Sequence, residues 1–506
     1  MTNKPPQPNM EKEILNKSLV YSFSNYIRMF VKLLGGFFIA KFLGPALYGL
    51  RNAFDLSLNY EAFSDLGTFS ALNRQAPYYR GAKDSTKFST ALSTVFSINI
   101  IYAIIAAVLL LLTSWYLRRN DFDQKYVDFI FFLSLMVFTG KFIAFLQIKL
   151  KIDKNFYLLS KVEVLYGVSA SGLGVILAYL FGFRGVLISL FSANLIYITY
   201  IIFKERKIPA IRISFPMYWH LLKIGFPMMV LFGLFMLLSS ADRILILAMI
   251  SKEALGYFGI AMVAAAVITT IPQAVHNVTL APAMEKLGQT GDKKSIKHFF
   301  IEPMVLMAYT LPFLLACLHF AIHLPIVYFL TKYMQSIEII KILILGYFFY
   351  SVASPALSMS LAMNKQLKLM FLVVPVVGLN FLLNYLFIKS GWGLKGVAMG
   401  TSITYFCYFC AIILFTLSNL DETLRAYPRT LVIIIIPIFY TVFLFWIIDT
   451  HLQINHNTIW SDIFATSVKI GLFILSYSLV FLKIKNHPAF QKLFKNLFIL
   501  KYFKRV

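Results

Sequence analysis

The sequence predicts an all-α integral membrane protein of about fourteen transmembrane helices, built as two six-helix lobes related by an internal repeat and followed by two C-terminal helices. Three observations carry this. The chain of 506 residues is 59% hydrophobic and only 14% charged, against roughly 25% charge in an ordinary soluble chain. Its apolar residues come in runs of about 20, the length that crosses the hydrocarbon core as a helix, and that length selects helices over a barrel. Segments also recur about 210 residues apart. Lys41 to Phe54 resembles Ile250 to Val263, and Leu177 to Phe181 with Arg184-Gly185-Val186 resembles Leu383 to Phe387 with Lys395-Gly396-Val397. A repeat of six helices keeps both halves in one orientation, because six is even.

The fourteen runs centre near residues 29, 60, 100, 137, 168, 193, 234, 267, 310, 348, 378, 406, 440 and 471. They divide the chain into a cytoplasmic lead (1–14), an N-lobe of spans 1 to 6 (15–205), a C-lobe of spans 7 to 12 (206–418), spans 13 and 14 (419–483) and a basic amphipathic tail (484–506). The tail mixes Phe and Leu with Lys, the pattern of an interfacial helix on anionic lipid.

In span 1, about 15–42, Ser18, Tyr21, Asn25, Arg28 and Lys32 recur at three- and four-residue steps and share one face, which Gly35 and Gly36 extend as a groove. Lipid cannot satisfy such a face, so it must meet water or protein: a cavity, or acids on span 2. Span 2, about 46–73, places Asp55 with Asn52 and Asn59 on one side and Glu61 with Asp65 on nearly the opposite side. Two carboxylates four residues apart would repel if both were ionised, so a shared proton and a coupling role for Asp55, Glu61 or Asp65 are one reading. Neutralisation by bases on neighbouring helices is the other.

Span 7 carries Asp242 and Arg243 among Leu237, Leu238, Ile244, Leu245 and Ile246. A charge at such a place costs about 2.5–3.5 kcal/mol even on the lenient insertion scale, which predicts a polar cavity facing the pair. Further polar groups follow: Thr269, Gln273 and His276 on span 8, Lys341, Ser351 and Ser354 on span 10, Asn380 and Asn384 on span 11. They line a cavity or join helices by hydrogen bonds. His319 and His323 have helical spacing for a metal but no third ligand, so no metal is expected. Cys317, Cys407 and Cys410 all fall inside spans and are expected to be small buried core residues.

The net charge of +25 raises nucleic acid as a partner, and its placement removes it. Of 47 Lys and Arg, 29 fall in segments that are cytoplasmic if the N-terminus is inside, and 10 in the opposite loops. That asymmetry sets both termini in the cytoplasm. Within the spans eight bases (Arg28, Lys32, Lys141, Lys161, Lys223, Arg243, Lys341, Lys469) face five acids (Asp55, Glu61, Asp65, Glu163, Asp242), an excess that favours an anionic cargo. The polar first 17 residues and the long first run predict no cleavable signal peptide. No Gly-rich phosphate loop is present, so no ATPase domain is expected.

Residues 39–67, Gly225-Phe226-Pro227, Asp242 to Ile246, Leu255 to Phe258 and Gly396 to Thr401 resemble the polysaccharide transporter family. These are bacterial flippases of lipid-linked oligosaccharides, within the multidrug/oligosaccharidyl-lipid/polysaccharide exporter superfamily. The resemblance implies a two-lobed bundle in the bacterial inner membrane that moves an undecaprenyl-diphosphate-linked sugar unit outward by alternating access, for O-antigen, capsule or a related polymer. It implies neither an enzyme nor a cofactor. Its partners would be that lipid-linked oligosaccharide, membrane lipids and other polysaccharide assembly proteins. Basic residues of helices 1 and 7 line the cavity in the family, matching Arg28, Lys32 and Arg243. Candidate cavity residues are then Asn25, Arg28, Lys32, Asp242, Arg243, Gln273, His276 and Lys341. Two rivals stand: a cation-coupled multidrug exporter of the same superfamily, which would favour an acidic or apolar cavity, and a membrane polysaccharide polymerase or glycosyltransferase, which would need larger outer loops.

Overall fold

A computed structural model describes residues 8–205, 210–270, 297–363, 365–420, 426–452 and 458–484, with side chains from residue 27 onward except at 426, 427, 429, 430 and 481–484. All regular elements among them are helical. Two are too long to be single spans. As straight rods, α1 (Pro8–Glu61) and α5 (Phe156–Glu205) would measure about 80 and 75 Å, against a hydrocarbon core of about 30 Å. Each breaks at a glycine in the left-handed region, Gly44 at φ 70° and Gly182 at φ 58°, where an L side chain would cost about 1–2 kcal/mol. Beyond Gly44 the chain turns back, because a Cβ on Gly36 would lie 3.9 Å from the Tyr48 hydroxyl; in an unbroken helix those residues would be about 18 Å apart along the axis. Beyond Gly182 the return is tighter, with a Cβ on Gly185 falling 1.9 Å from the Leu177 carbonyl oxygen.

Twelve helices among the described residues are long and apolar enough to cross a membrane, where fourteen spans were expected. The difference lies in α1 and α5, each of which carries two of the expected spans across its glycine. A second departure follows at once. Span 2 was expected to run to about residue 73, but α1 ends at Glu61. A single 3-10 turn (Ala62–Asp65) and two left-handed residues, Leu66 and Gly67, lead into α2 (Thr68–Gly81). The cause is tertiary. Gly67 and Gly225 touch backbone to backbone, so that a Cβ on Gly67 would sit 2.3 Å from the Gly225 oxygen and one on Gly225 2.0 Å from the Gly67 oxygen.

Asp84 caps α3 (Ser85–Arg119), accepting from the Lys87 N–H at 2.9 Å, and the same bond holds its carboxyl below the usual range. After α4 (Gln124–Ile152), α5 and α6 (Phe215–Met249) come α7 (Lys252–Thr270), α8 (His298–Ala321), α9 (His323–Phe329) and α10 (Ser336–Val352). The chain continues with α11 (Ser354–Ala362), α12 (Gln366–Lys389), α13 (Gly393–Ser418), α14 (Ala426–His451) and α15 (Ile459–Ile484).

The chain folds as two compact units, Met1–Gly233 and Leu234–Val506, with the division inside α6. In the first, small residues bring α1 and α5 close: a Cβ on Gly35 would meet Ser171, and one on Gly174 would meet Ile39. Phe69, Leu72, Phe96, Phe145 and Leu221 form an apolar core beside them. In the second, α12 is tied by buried amides. Asn380 donates to the Leu238 carbonyl of α6 at 3.2 Å and Asn384 to the Thr401 hydroxyl of α13 at 3.4 Å, so these asparagines join helices.

Each unit contains the repeated hairpin. Gly185 stands against Phe181, and Gly396 against Phe387. Arg184 pairs with Asp128 at 3.7 Å, and Lys395 pairs with Glu338, about 210 residues further along for both partners. The cysteines correct an expectation, since Cys317 is exposed and Cys407 and Cys410 are half-buried. A thiol behaves as a small apolar group and is at ease against lipid as well as in a core.

Candidate functional site

The first unit encloses a cavity of about 580 Å³. Its wall draws on α1, the 3-10 turn, the start of α2, α4, α5 and the middle of α6, and includes Arg28, Glu61, Asp65, Lys141, Gln147 and Glu163. Arg28 of α1 pairs with Glu163 of α5. Glycine permits the approach, because a Cβ on Gly167 would lie 2.7 Å from the Arg28 Cγ. Glu163 is buried, and takes further hydrogen bonds from the Gln147 amide at 2.8 Å and the Tyr197 hydroxyl at 3.4 Å. The Arg28 side chain keeps 38% of its exposure, which leaves guanidinium donors directed away from Glu163, since that group has five N–H bonds.

Lys141 of α4 is the second charge in the wall and is only 3% exposed. Its ammonium lies 3.3 Å from the Glu61 carboxylate and donates to the Glu61 and Ala62 carbonyls, both at 3.2 Å. These carbonyls close α1, where the helix dipole is negative and its acceptors lack helical partners. Three acceptors at a helix end explain how a lysine stands buried there.

The coupling candidates separate. Asp65 is buried and accepts from the Gly67 N–H at 3.2 Å and the Phe69 N–H at 2.8 Å, fastening the first turn of α2. Glu61 answers Lys141 and Ser64. The four-residue spacing promised a common helical face, but residues 62–65 form a 3-10 turn with three residues per turn. Asp55 pairs with Arg51 one turn back, at 3.6 Å, and is not part of the cavity wall.

Lys32 is exposed and also stands outside this wall. Asn25 lies in α1, one turn before Arg28, with its side chain outside the described residues; Gln273 and His276 lie outside them altogether. In the second unit Asp242 is 1% exposed, and its carboxylate accepts from the Arg243 N–H at 2.7 Å and lies 3.8 Å from the guanidinium. Arg243 turns back to the Ser239 carbonyl at 2.8 Å. Lys341 stands 3.6 Å from Asp449 of α14. His319, considered for a metal, bonds the same Asp449 at 2.9 Å.

The basic excess read from the spans is thereby corrected. Asp449 lies inside α14 and was missing from the five acids. Among the eight bases, Arg28, Lys141, Arg243, Lys341 and Lys469 have carboxylate partners, while Lys32, Lys161 and Lys223 are exposed. Arg28 was expected to meet a cavity or an acid on span 2. It does line a cavity, and its acid is on α5, 135 residues away. Glu163 was visible as a charge in an apolar run; its pairing with Arg28 was not.

Residues 39–337, more than half of the chain, match the family described as polysaccharide biosynthesis protein. No curated protein matches. Among solved structures, the lipid II flippase MurJ in an inward closed conformation is 15% identical, with 92% of this chain and 100% of that one covered at a TM-score of 0.64. An outward-facing multidrug resistance MATE family transporter of the MOP superfamily is 14% identical, with 81% and 96% covered at 0.57. A MOP superfamily transporter from Pyrococcus furiosus, described for the reverse polarity of its binding pocket, is 13% identical, with 81% and 96% covered at 0.53. This chain, with the fold of the MOP-superfamily transporters, belongs to the polysaccharide biosynthesis protein family.

Proposed function

We propose that the protein is a flippase that carries an undecaprenyl-diphosphate-linked oligosaccharide across the bacterial inner membrane by alternating access, supplying O-antigen, capsule or a related polymer. The observation that carries this is the half-exposed Arg28 guanidinium, held by buried Glu163 in the wall of a cavity among membrane-spanning helices. A diphosphate and sugar hydroxyls lose several kcal/mol per unsatisfied group in hydrocarbon, whereas a polyprenyl chain stays in lipid. A cavity with fixed donors meets the first need. Arginine suits a phosphate because its planar fork binds two oxygens at once, and Glu163 orients that fork before cargo arrives. The volume lies in the range of small-ligand sites, roughly 300–1,000 Å³. No step breaks a bond, so the role is transport. The proposed topology counts α1 and α5 as two spans each and places both termini in the cytoplasm.

The charge balance of the wall favours a second reading: Glu61, Asp65 and Glu163 stand with Arg28, Lys141 and Lys151, a mixture that also suits an organic cation and hence a multidrug exporter. Deleting the gene separates the two. Accumulation of an unflipped lipid-linked oligosaccharide is the expected result, with restoration by the wild-type chain but not by Arg28→Ala at equal membrane abundance. Intact surface polymer in the deletion strain, with new sensitivity to cationic drugs, would establish the exporter instead.

A further inference from the structure

We propose a second binding site, at the junction of α14 and α15 with α8 and α10, that takes the phosphate of an anionic membrane lipid. It lies wholly within the second unit and stands apart from the transport reading.

Around Asp449, positive groups outnumber negative ones. Asp449 accepts from Lys469 at 2.9 Å and shares a hydrogen bond with His319 at 2.9 Å. Those two bonds already satisfy one oxygen each. Lys341, at 3.6 Å, is beyond hydrogen-bond distance and 37% exposed. Two ammonium groups thus face one carboxylate, before any proton on His319. An ammonium left without a carboxylate of its own at the membrane surface attracts an anion, as basic pockets between spans attract lipid head groups.

Depth and surroundings select a lipid over a soluble anion. Asp449 stands two residues before the end of α14 at His451, about 3 Å along the axis. His319 is likewise two residues before the end of α8 at Ala321, and Lys341 five residues after the start of α10 at Ser336, so these three groups lie near helix ends, at head-group depth. Asp449 itself is 34% exposed, so the cluster opens to the surroundings. One turn earlier on the same face, Trp446 is 64% exposed, an aromatic of the kind found at the membrane–water boundary. A phosphate lying beside Trp446 would bring its oxygens to Lys341, a point charge that needs no fixed fork geometry.

Native mass spectrometry of the full-length protein in detergent tests this, with phosphatidic acid, phosphatidylcholine and inorganic phosphate as separate probes. The expected result is one retained phosphatidic acid, bound about tenfold more weakly by Lys341→Gln and normally by Lys341→Arg. Asp449→Asn should bind more tightly, because it removes the competing carboxylate. If that variant does not accumulate, the two Lys341 variants decide alone. Equal retention of phosphatidic acid and phosphatidylcholine, or equal binding by Lys341→Gln and wild type, overturns the site and leaves the cluster as a clamp on α14. Displacement of the lipid by inorganic phosphate at equal concentration overturns the lipid assignment.

Discussion

Arg28 and Glu163 neutralise each other, so a substitution at either changes both stability and binding. Arg28→Ala leaves a buried carboxylate with only Gln147 and Tyr197 as donors, at a cost of about 1–3 kcal/mol. Adding Glu163→Gln removes that charge. The double variant should recover membrane abundance, measured by blotting, without recovering surface polymer; recovery of both would assign the pair to structure alone. Asp65 admits an equally clean test of coupling. Asn is isosteric but has one acceptor oxygen where Asp65 uses both, so Asp65→Asn should keep the 2.8 Å bond from Phe69 and give up the longer one from Gly67. A melting temperature close to wild type together with lost dependence on the proton gradient would support coupling, and unchanged transport with a protonophore present would end it. Lys141→Met is expected to destabilise by about 3–5 kcal/mol by stranding Glu61, with most of that returned in Lys141→Met, Glu61→Gln.

At the level of elements, glycines decide where helices stop and how closely they pack. Gly67→Ala meets both a positive φ and the Gly225 carbonyl, and φ alone costs about 1–2 kcal/mol. Gly225→Ala has no φ penalty but meets the same contact from the other side, so both should lower the melting temperature. The repeated hairpins give a sharper comparison. Gly185→Ala and Gly396→Ala should each destabilise by about 1–3 kcal/mol, because the added methyl meets backbone or a Cβ that cannot swing away. Glu338→Ala should barely register, since Lys395 and Glu338 are both largely exposed and exposed ion pairs contribute about 0–1 kcal/mol, whereas Asp128→Ala should cost about 1 kcal/mol, because Asp128 is buried and also accepts from Gln124 at 2.8 Å. Thermal melting of the four variants in one detergent checks the ordering.

For the whole molecule, the basic asymmetry makes a topological prediction. In a background without Cys317, Cys407 and Cys410, Ser251→Cys should react with an impermeant thiol reagent from outside and Ser418→Cys only after permeabilisation. Both side chains are exposed, so access depends on sidedness alone. Reversed labelling would invert the topology. The all-helical membrane class, the duplicated hairpin and the polar face of α1 that carries Arg28 could all be read from the sequence, because apolar run length, internal similarity and helical spacing are local properties. The break after Glu61 was hidden, because nothing near Gly67 shows that Gly225, 158 positions later, will press on it. Partner choice was hidden for the same reason: Arg28 with Glu163, Lys141 with the end of α1, and Asp449 amid three bases are each chosen by helices that meet only after packing. The cost of charge in hydrocarbon obliges each ion to find a partner, a demand written in the residues themselves. Which partner answers it depends on which helices stand side by side, and only the tertiary structure decided that.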